Sequence, residues 1–396
     1  MASETRRAFV EDGPNRTHIG GQALIEGVMM RGKQSWAAAV RQPDGDVYLE
    51  EHSLSSKGSR PAWMSWPLVR GCVALVDSLV LGFKALEVAT THAYDEEGNT
   101  YESLQAEKAA TVTSGDSDGA PSEDGESRNS FRENTEGCAS SSSVGSVSGQ
   151  GDGPCSRKAM PEEEASVKKG SSGESESFFG KAEMALSIVL GLALGIGLFI
   201  FLPAFVSNVL IGDYDVNPLA WNLVDGVLRV AVFVFYVWLI GFMPDIKRMF
   251  RYHGAEHKAI HCFEHGMPLT PENAARFPRL HVRCGTAFLV MVMVLAILVY
   301  TLVPVDQLIA AWGITDSVAK FLLVIVTRIA LMPVIAGVTY EVTVRWAGSS
   351  PDNPLVRVVL WPGMQMQRLT TKEPDEGMLE CAIAALEAVH ATEVAS

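Results

Sequence analysis

Four long apolar runs constrain this chain more than any motif in it, because roughly 20 uncharged residues are enough to cross a bilayer as a helix. Residues 184–211 hold 28 positions without a charge, 221–243 are apolar apart from Asp225 and Arg229 near the start, 285–305 are uncharged, and 321–340 are broken only by Arg328. Pro333 can kink the last run without ending it. The expected fold class is therefore a membrane protein, mainly α, with four transmembrane helices over residues 182–340 and a small cytosolic α+β part.

The lysines and arginines set the orientation. Loops 212–220 and 306–319 contain none, whereas 244–284 contains seven, and positive charge stays on the cytosolic side. That central loop and both termini are thus expected in the cytoplasm of a multipass protein of the cell membrane. Arg328 lies nearest mid-membrane, where a charge needs a partner, and Asp225 is its candidate.

The formal net charge of −14 has a local source. Residues 95–177 carry 18 acidic and 7 basic side chains among Ser, Gly, Thr and Asn, too little apolar surface to offset the entropy of ordering. They are expected to form a disordered acidic linker, and what remains is near neutral, with no nucleic-acid partner indicated. The six cysteines make no CxxC pair, which fits a reducing, cytosol-facing environment.

On the N-terminal side, 18–92 divides in two. Residues 19–32, IGGQALIEGVMMRG, place glycines around a compact apolar run with Glu26 and Arg31 as its polar groups, and 35–51 surround a Pro-Asp-Gly turn signal as a β-hairpin. From 63 to 90 the pattern turns helical with Arg70, Asp77 and Lys84 in one narrow polar stripe, as suits a helix in the membrane interface or packed on the bundle. At the other end, 341–396 form a cytosolic tail in which Leu379, Ile383, Leu386 and Val389 share one helical face.

Residues 244–286 concentrate the chemistry, with five of the nine histidines and two of the six cysteines. His253-Gly254-Ala255-Glu256-His257 spells H-x-x-E-H, in which two imidazoles about 6 Å apart along one helix face can share a metal ion while the carboxylate beside them activates water. His261 continues the series, so the pair His257 and His261 has the same spacing. Glu264 lies about 10 Å further along the axis, beyond reach of the first pair. A third ligand has to come from another segment. Glu341, at the end of the fourth run, is the first choice and His281 the second; Cys284, three residues after His281, can also ligate or simply pack. A hydrogen-bonded structural cluster of the same residues is the alternative to a metal site.

The stretches IGGQALIEGVMMRG, RYHGAEHKAIHCFEHG, LHVRCGT, PVIAGVTYE and QRLTTKEPDE together resemble the YqhQ family, bacterial multipass membrane proteins of unknown function described as predicted metal-dependent enzymes. The resemblance covers roughly residues 18–92 and 180–391. It implies that His253, Glu256 and His257 belong to the part suspected of holding a metal, and it brings no reaction with it. Two functional classes follow. One is a zinc-dependent hydrolase with Glu256 as general base, acting on a membrane protein, peptide or lipid head group; the other is a non-enzymatic membrane scaffold or assembly factor.

Overall fold

The computed structural model describes residues 8, 15, 17–54, 61–95, 98–114, 186, 189–212, 217–303, 311–314, 316–347 and 353–394. Nearly all of them belong to one compact unit, Met1–Thr111 with Leu190–Ser396; a second unit, Val112–Val189, is described only at its ends. Most of the linker expected at 95–177 lies outside the described residues, as does the side chain of Arg328.

The fold is mostly helical with one small antiparallel sheet. Strands β1 (Gly20–Leu24), β2 (Gly27–Arg31), β3 (Ser35–Arg41) and β4 (Val47–Ser53) pair in chain order. The β3–β4 hairpin is the one read from the Pro-Asp-Gly turn, and the glycine-rich stretch before it adds two more strands. Side chains alternate across the sheet. Val28, Met30, Ala37 and Ala39 face one core with Tyr252, Ala255, Leu379 and Leu386. Met29, Trp36, Ala38 and Val40 face the other, with Leu81, Ala85 and Ala89. Burial on both faces explains why the interiors of β2 and β3, 28–30 and 36–40, are apolar instead of alternating with polar residues.

The helices that cover the sheet come from distant parts of the chain. Helix α1 (Val69–His92) lies on one face, and α5 (Pro244–Glu264) and α10 (Glu376–Val394) on the other. Leu379, Ile383, Leu386 and Val389 of α10 are all buried, so the C-terminal helix packs onto the sheet as its periodicity implied. Helix α2 (Tyr101–Ser114) occupies the start of the segment expected to be unstructured. Its docking is polar rather than apolar: Glu102 pairs with Arg248, and Tyr101 lies under the Arg41 guanidinium.

Helices α3 (Val189–Ile211) and α4 (Pro218–Ile240) are long and apolar enough to cross a membrane. Helix α7 (Gly285–Leu302) contributes a shorter apolar stretch, Val290–Tyr300, and α8 (Ser317–Tyr340) runs on as a π-helical segment, Glu341–Trp346. Among the described residues two helices, not four, meet the length and hydropathy of a span. Between α5 and α7 the short helix α6 (Pro271–Ala275) is capped by the Thr270 hydroxyl, which accepts from the Asn273 N–H. Helix α9 (Pro354–Thr370) packs against α4 and α7.

After α9 the chain turns and crosses α5 at close quarters. The Lys372 N–H donates to the Phe250 carbonyl at 2.8 Å, and a Cβ on Gly254 would lie 2.1 Å from the Lys372 carbonyl oxygen. Neither backbone can yield, since both are held by hydrogen bonds. Gly254→Ala is therefore expected to destabilise the chain by about 1–3 kcal/mol, read as a lower thermal midpoint in detergent. Gly20→Ala, where nothing lies within 4 Å of the added carbon, should leave the midpoint unchanged.

Candidate metal centre

Helix α5 begins at Pro244, a residue suited to the first helical turn because it has no N–H to satisfy. Its last three turns are buried almost completely, from Tyr252 to Cys262. Five charged or imidazole side chains therefore leave water together: His253, Glu256, His257, Lys258 and His261 are all buried. Such burial is stable only where each polar atom finds a partner.

The end of α9 and the stretch between α6 and α7 provide partners for the imidazoles. The Thr370 carbonyl lies 2.9 Å from His253 Nδ1, the Arg279 carbonyl 2.6 Å from His257 Nδ1 and the Leu280 carbonyl 3.0 Å from His261 Nε2. A carbonyl only accepts, so the ring proton of His253 and His257 sits on Nδ1 and leaves Nε2 with a lone pair. His253 Nε2 lies 3.2 Å from Cys284 Sγ. His257 Nε2 is buried with no hydrogen-bond partner. One ligating atom from each of His253, His257 and Cys284 falls within 4.8 Å of the other two, a group that could hold a metal ion.

Cys284 comes to this position as the residue that caps the N-terminus of α7. Burial alone would push its thiol up, but His253 and His257 beside it hold it well below the ordinary value. The same contact works in reverse on His253: burial would lower it, and Cys284 raises it to about 9. Both shifts favour the thiolate, the form in which cysteine binds metal.

Glu256 points from the same helix toward β1. Its Oε2 is buried without a hydrogen-bond partner, and its carboxyl carbon would lie 2.8 Å from a Cβ on Gly21. Only a glycine leaves room for the carboxylate there. Burial raises its pKa above the usual range, against the pull of His257 and His253.

His281 and His261 form a neighbouring layer. The ring centroids of His257 and His281 are 5.7 Å apart, and those of His281 and His261 4.6 Å. Burial lowers both of these histidines well below the ordinary value, helped for His281 by Arg283 and for His261 by His281. His281 Nε2 lies 3.7 Å from Glu264, which Arg283 and Thr17 hold in place. Glu341 is elsewhere, in a bidentate pair with Arg70 of α1. Glu26, at the β1–β2 turn with φ of 54°, is likewise taken up by Arg248 and Tyr252. The structure therefore brings together His253, His257 and Cys284 with Glu256 alongside, and puts His281 next to them and Glu341 outside.

Three supporting residues lie in stretches that the sequence singles out without assigning them a role at the site: Gly21, among the glycines of 19–32, and Gln367 and Thr370, in QRLTTKEPDE. The Gln367 amide is paired in both directions with one backbone residue, accepting from the His281 N–H at 2.9 Å and donating to the His281 carbonyl at 2.8 Å.

With this geometry in hand, the comparisons place the chain. The model of a family described as Protein of unknown function (DUF1385) matches residues 66–392. The chain belongs to this family. It is also 27% identical over 364 residues to the uncharacterized protein YqhQ of Bacillus subtilis (strain 168), covering 92% of this chain and 89% of that one, which bears out the resemblance carried by the motifs. No solved structure matches.

Gln367→Leu keeps the volume of the side chain and leaves two buried backbone groups of His281 unpaired. A loss of about 2 kcal/mol or more is expected, since each unpaired buried group costs about 1–3 kcal/mol. Denaturant unfolding of wild type and variant, followed by circular dichroism in the same detergent, measures it.

Proposed function

We propose that this chain is a multipass membrane protein whose cytosolic domain holds zinc at His253, His257 and Cys284, and that the centre hydrolyses a bond in a membrane-associated substrate with Glu256 as general base. The observation that carries the reading is the convergence of three ligating atoms within 4.8 Å, with His257 Nε2 and the neighbouring Glu256 Oε2 buried and without a hydrogen-bond partner among the described residues. Two imidazoles and a thiolate suit zinc better than magnesium or calcium, which prefer oxygen. Three protein ligands leave a fourth position open, the arrangement of catalytic rather than structural zinc.

When bound, the ion supplies Lewis acidity, lowering the pKa of water at the open position and polarising the scissile bond. The protein does the rest. Thr370 and Arg279 hold the Nδ1 protons of His253 and His257, which fixes the tautomer and aims Nε2 at the ion. Glu256 takes a proton from the attacking water at Oε2 and returns it to the leaving group; its raised pKa brings it nearer the range where it can do both. Gly21 lets the carboxylate sit close to β1, and so keeps it beside the imidazoles.

The membrane topology rests on α3 and α4 as spans, with α7 and α8 completing four, and on the seven lysines and arginines of 244–284 as the cytosolic side. A second reading draws on the 3.2 Å contact of Cys284 with His253: the thiolate as nucleophile and the imidazole as its acid–base partner, with no metal.

Metal content per chain of detergent-purified protein separates these readings. About one zinc is expected in wild type and in Glu256→Gln, and none in His257→Ala or Cys284→Ser. Once a substrate is found, Glu256→Gln should lower hydrolysis about 10²–10⁴-fold with the metal still bound. A wild-type chain that takes up no zinc after loading would sink the metalloenzyme and leave the cysteine reading standing.

A further inference from the structure

Helix α9 is apolar on two opposite sides. Val356, Leu360 and Met364 are buried with Leu280, Val282 and Ala347, and Met366 joins Val237 of α4 and Val290 of α7. The outer side of its first half carries Leu355, Val358 and Trp361, which are 63%, 70% and 58% exposed. In a helix facing water on its outer side these positions would be polar.

The neighbouring segment extends the patch. Ala347 packs with Val356 and Leu360, which places the end of the Glu341–Trp346 segment against α9. There Val344 and Trp346 are exposed as well, with Arg345 between them, and Arg357 is exposed on α9. Aliphatic residues with two tryptophans and two arginines make the composition of the boundary between lipid head groups and acyl chains. Tryptophan prefers that depth, and arginine reaches anionic phosphates while its stem stays in the apolar layer. Met366, about three turns beyond Leu355 on α9, packs with Val237 of α4, one of the two helices able to span a membrane, so the helix that carries the patch lies against a candidate span.

Resting on the membrane reading above, we infer that α9 lies in the plane of the cytosolic leaflet and that Leu355, Val358 and Trp361, with Val344 and Trp346, are covered by lipid. The consequence reaches the metal centre. Nine residues beyond Trp361, about 14 Å along the helix axis, Thr370 holds His253, and on the way Gln367 holds His281. The same helix thus binds lipid at one end and orients the imidazoles at the other, so the centre lies just beneath the bilayer surface. The substrate it can reach is a membrane amphiphile's head group.

The test is photo-crosslinking of the full chain in vesicles of phosphatidylethanolamine and phosphatidylglycerol. The photoreactive residue p-benzoylphenylalanine replaces Val358 on α9, Phe235 on α4 or Glu387 on α10, and adducts are read by mass spectrometry. Lipid adducts at Val358 and Phe235, and none at Glu387, are expected. Lipid at Phe235 with only solvent-quenched or protein adducts at Val358, including adducts to a second copy, would overturn the inference about α9 while the spanning of α4 stands. No lipid at Phe235 would overturn both.

Discussion

Imidazole rings cannot leave water unless their N–H groups find acceptors, and in this chain almost everything near the centre serves that requirement. Helix α5 removes three imidazoles, two carboxylates and an ammonium group from solvent at once. The carbonyls that receive the imidazoles come from Arg279 and Leu280, between α6 and α7, and from Thr370 at the end of α9. Two segments laid along one helix face therefore decide which nitrogen of each histidine is protonated. Everything downstream, from the lone pair on His257 Nε2 to the thiolate of Cys284, depends on that choice.

The same logic explains the buried cations and carboxylates that take no part in the centre. Lys258 donates to the carbonyls of Ala275 and Phe277 and pairs with Glu373, tying α6 and the segment before α10 to α5. Arg248 is shared between Glu26 on the β1–β2 turn and Glu102 on α2. In each case one charge holds two segments that are far apart in sequence, and truncating one partner would strand the other in a low-dielectric setting.

The parts legible in sequence are those governed by local periodicity. The spacing of His253 and His257 places both on one helix face whatever the tertiary structure, and the Pro-Asp-Gly turn signal within 35–51 specifies a hairpin in the same local way. Pairings across the chain are another matter. Glu341 looks available at the end of an apolar run, and nothing local reveals that Arg70, 271 residues away, occupies it. Cys284 was visible only as one of two residues that might ligate or pack, because its approach to His253 depends on the path of the 265–283 connection. Gly21, Gln367 and Thr370 lie in stretches that stand out in sequence, but their roles at the centre do not show there: they rest on a missing side chain, an amide paired with backbone, and a backbone carbonyl. Composition also misjudged the start of the acidic segment, where α2 docks through single polar contacts that an apolar-area argument does not count.

The crossing of residues 370–374 over Gly254 has a consequence for how the protein is made. His253, Glu256, His257 and Cys284 all emerge from the ribosome well before Gln367, Thr370 and Lys372. Until that later stretch has been synthesised and laid across α5, His253 has no carbonyl for its Nδ1 proton and the backbone of His281 has no amide to clamp it. The ligand-bearing helix is thus an early product and the centre a late one. A chain released before residue 367 would carry every ligand, but neither the carbonyl that aims His253 nor the amide that clamps His281.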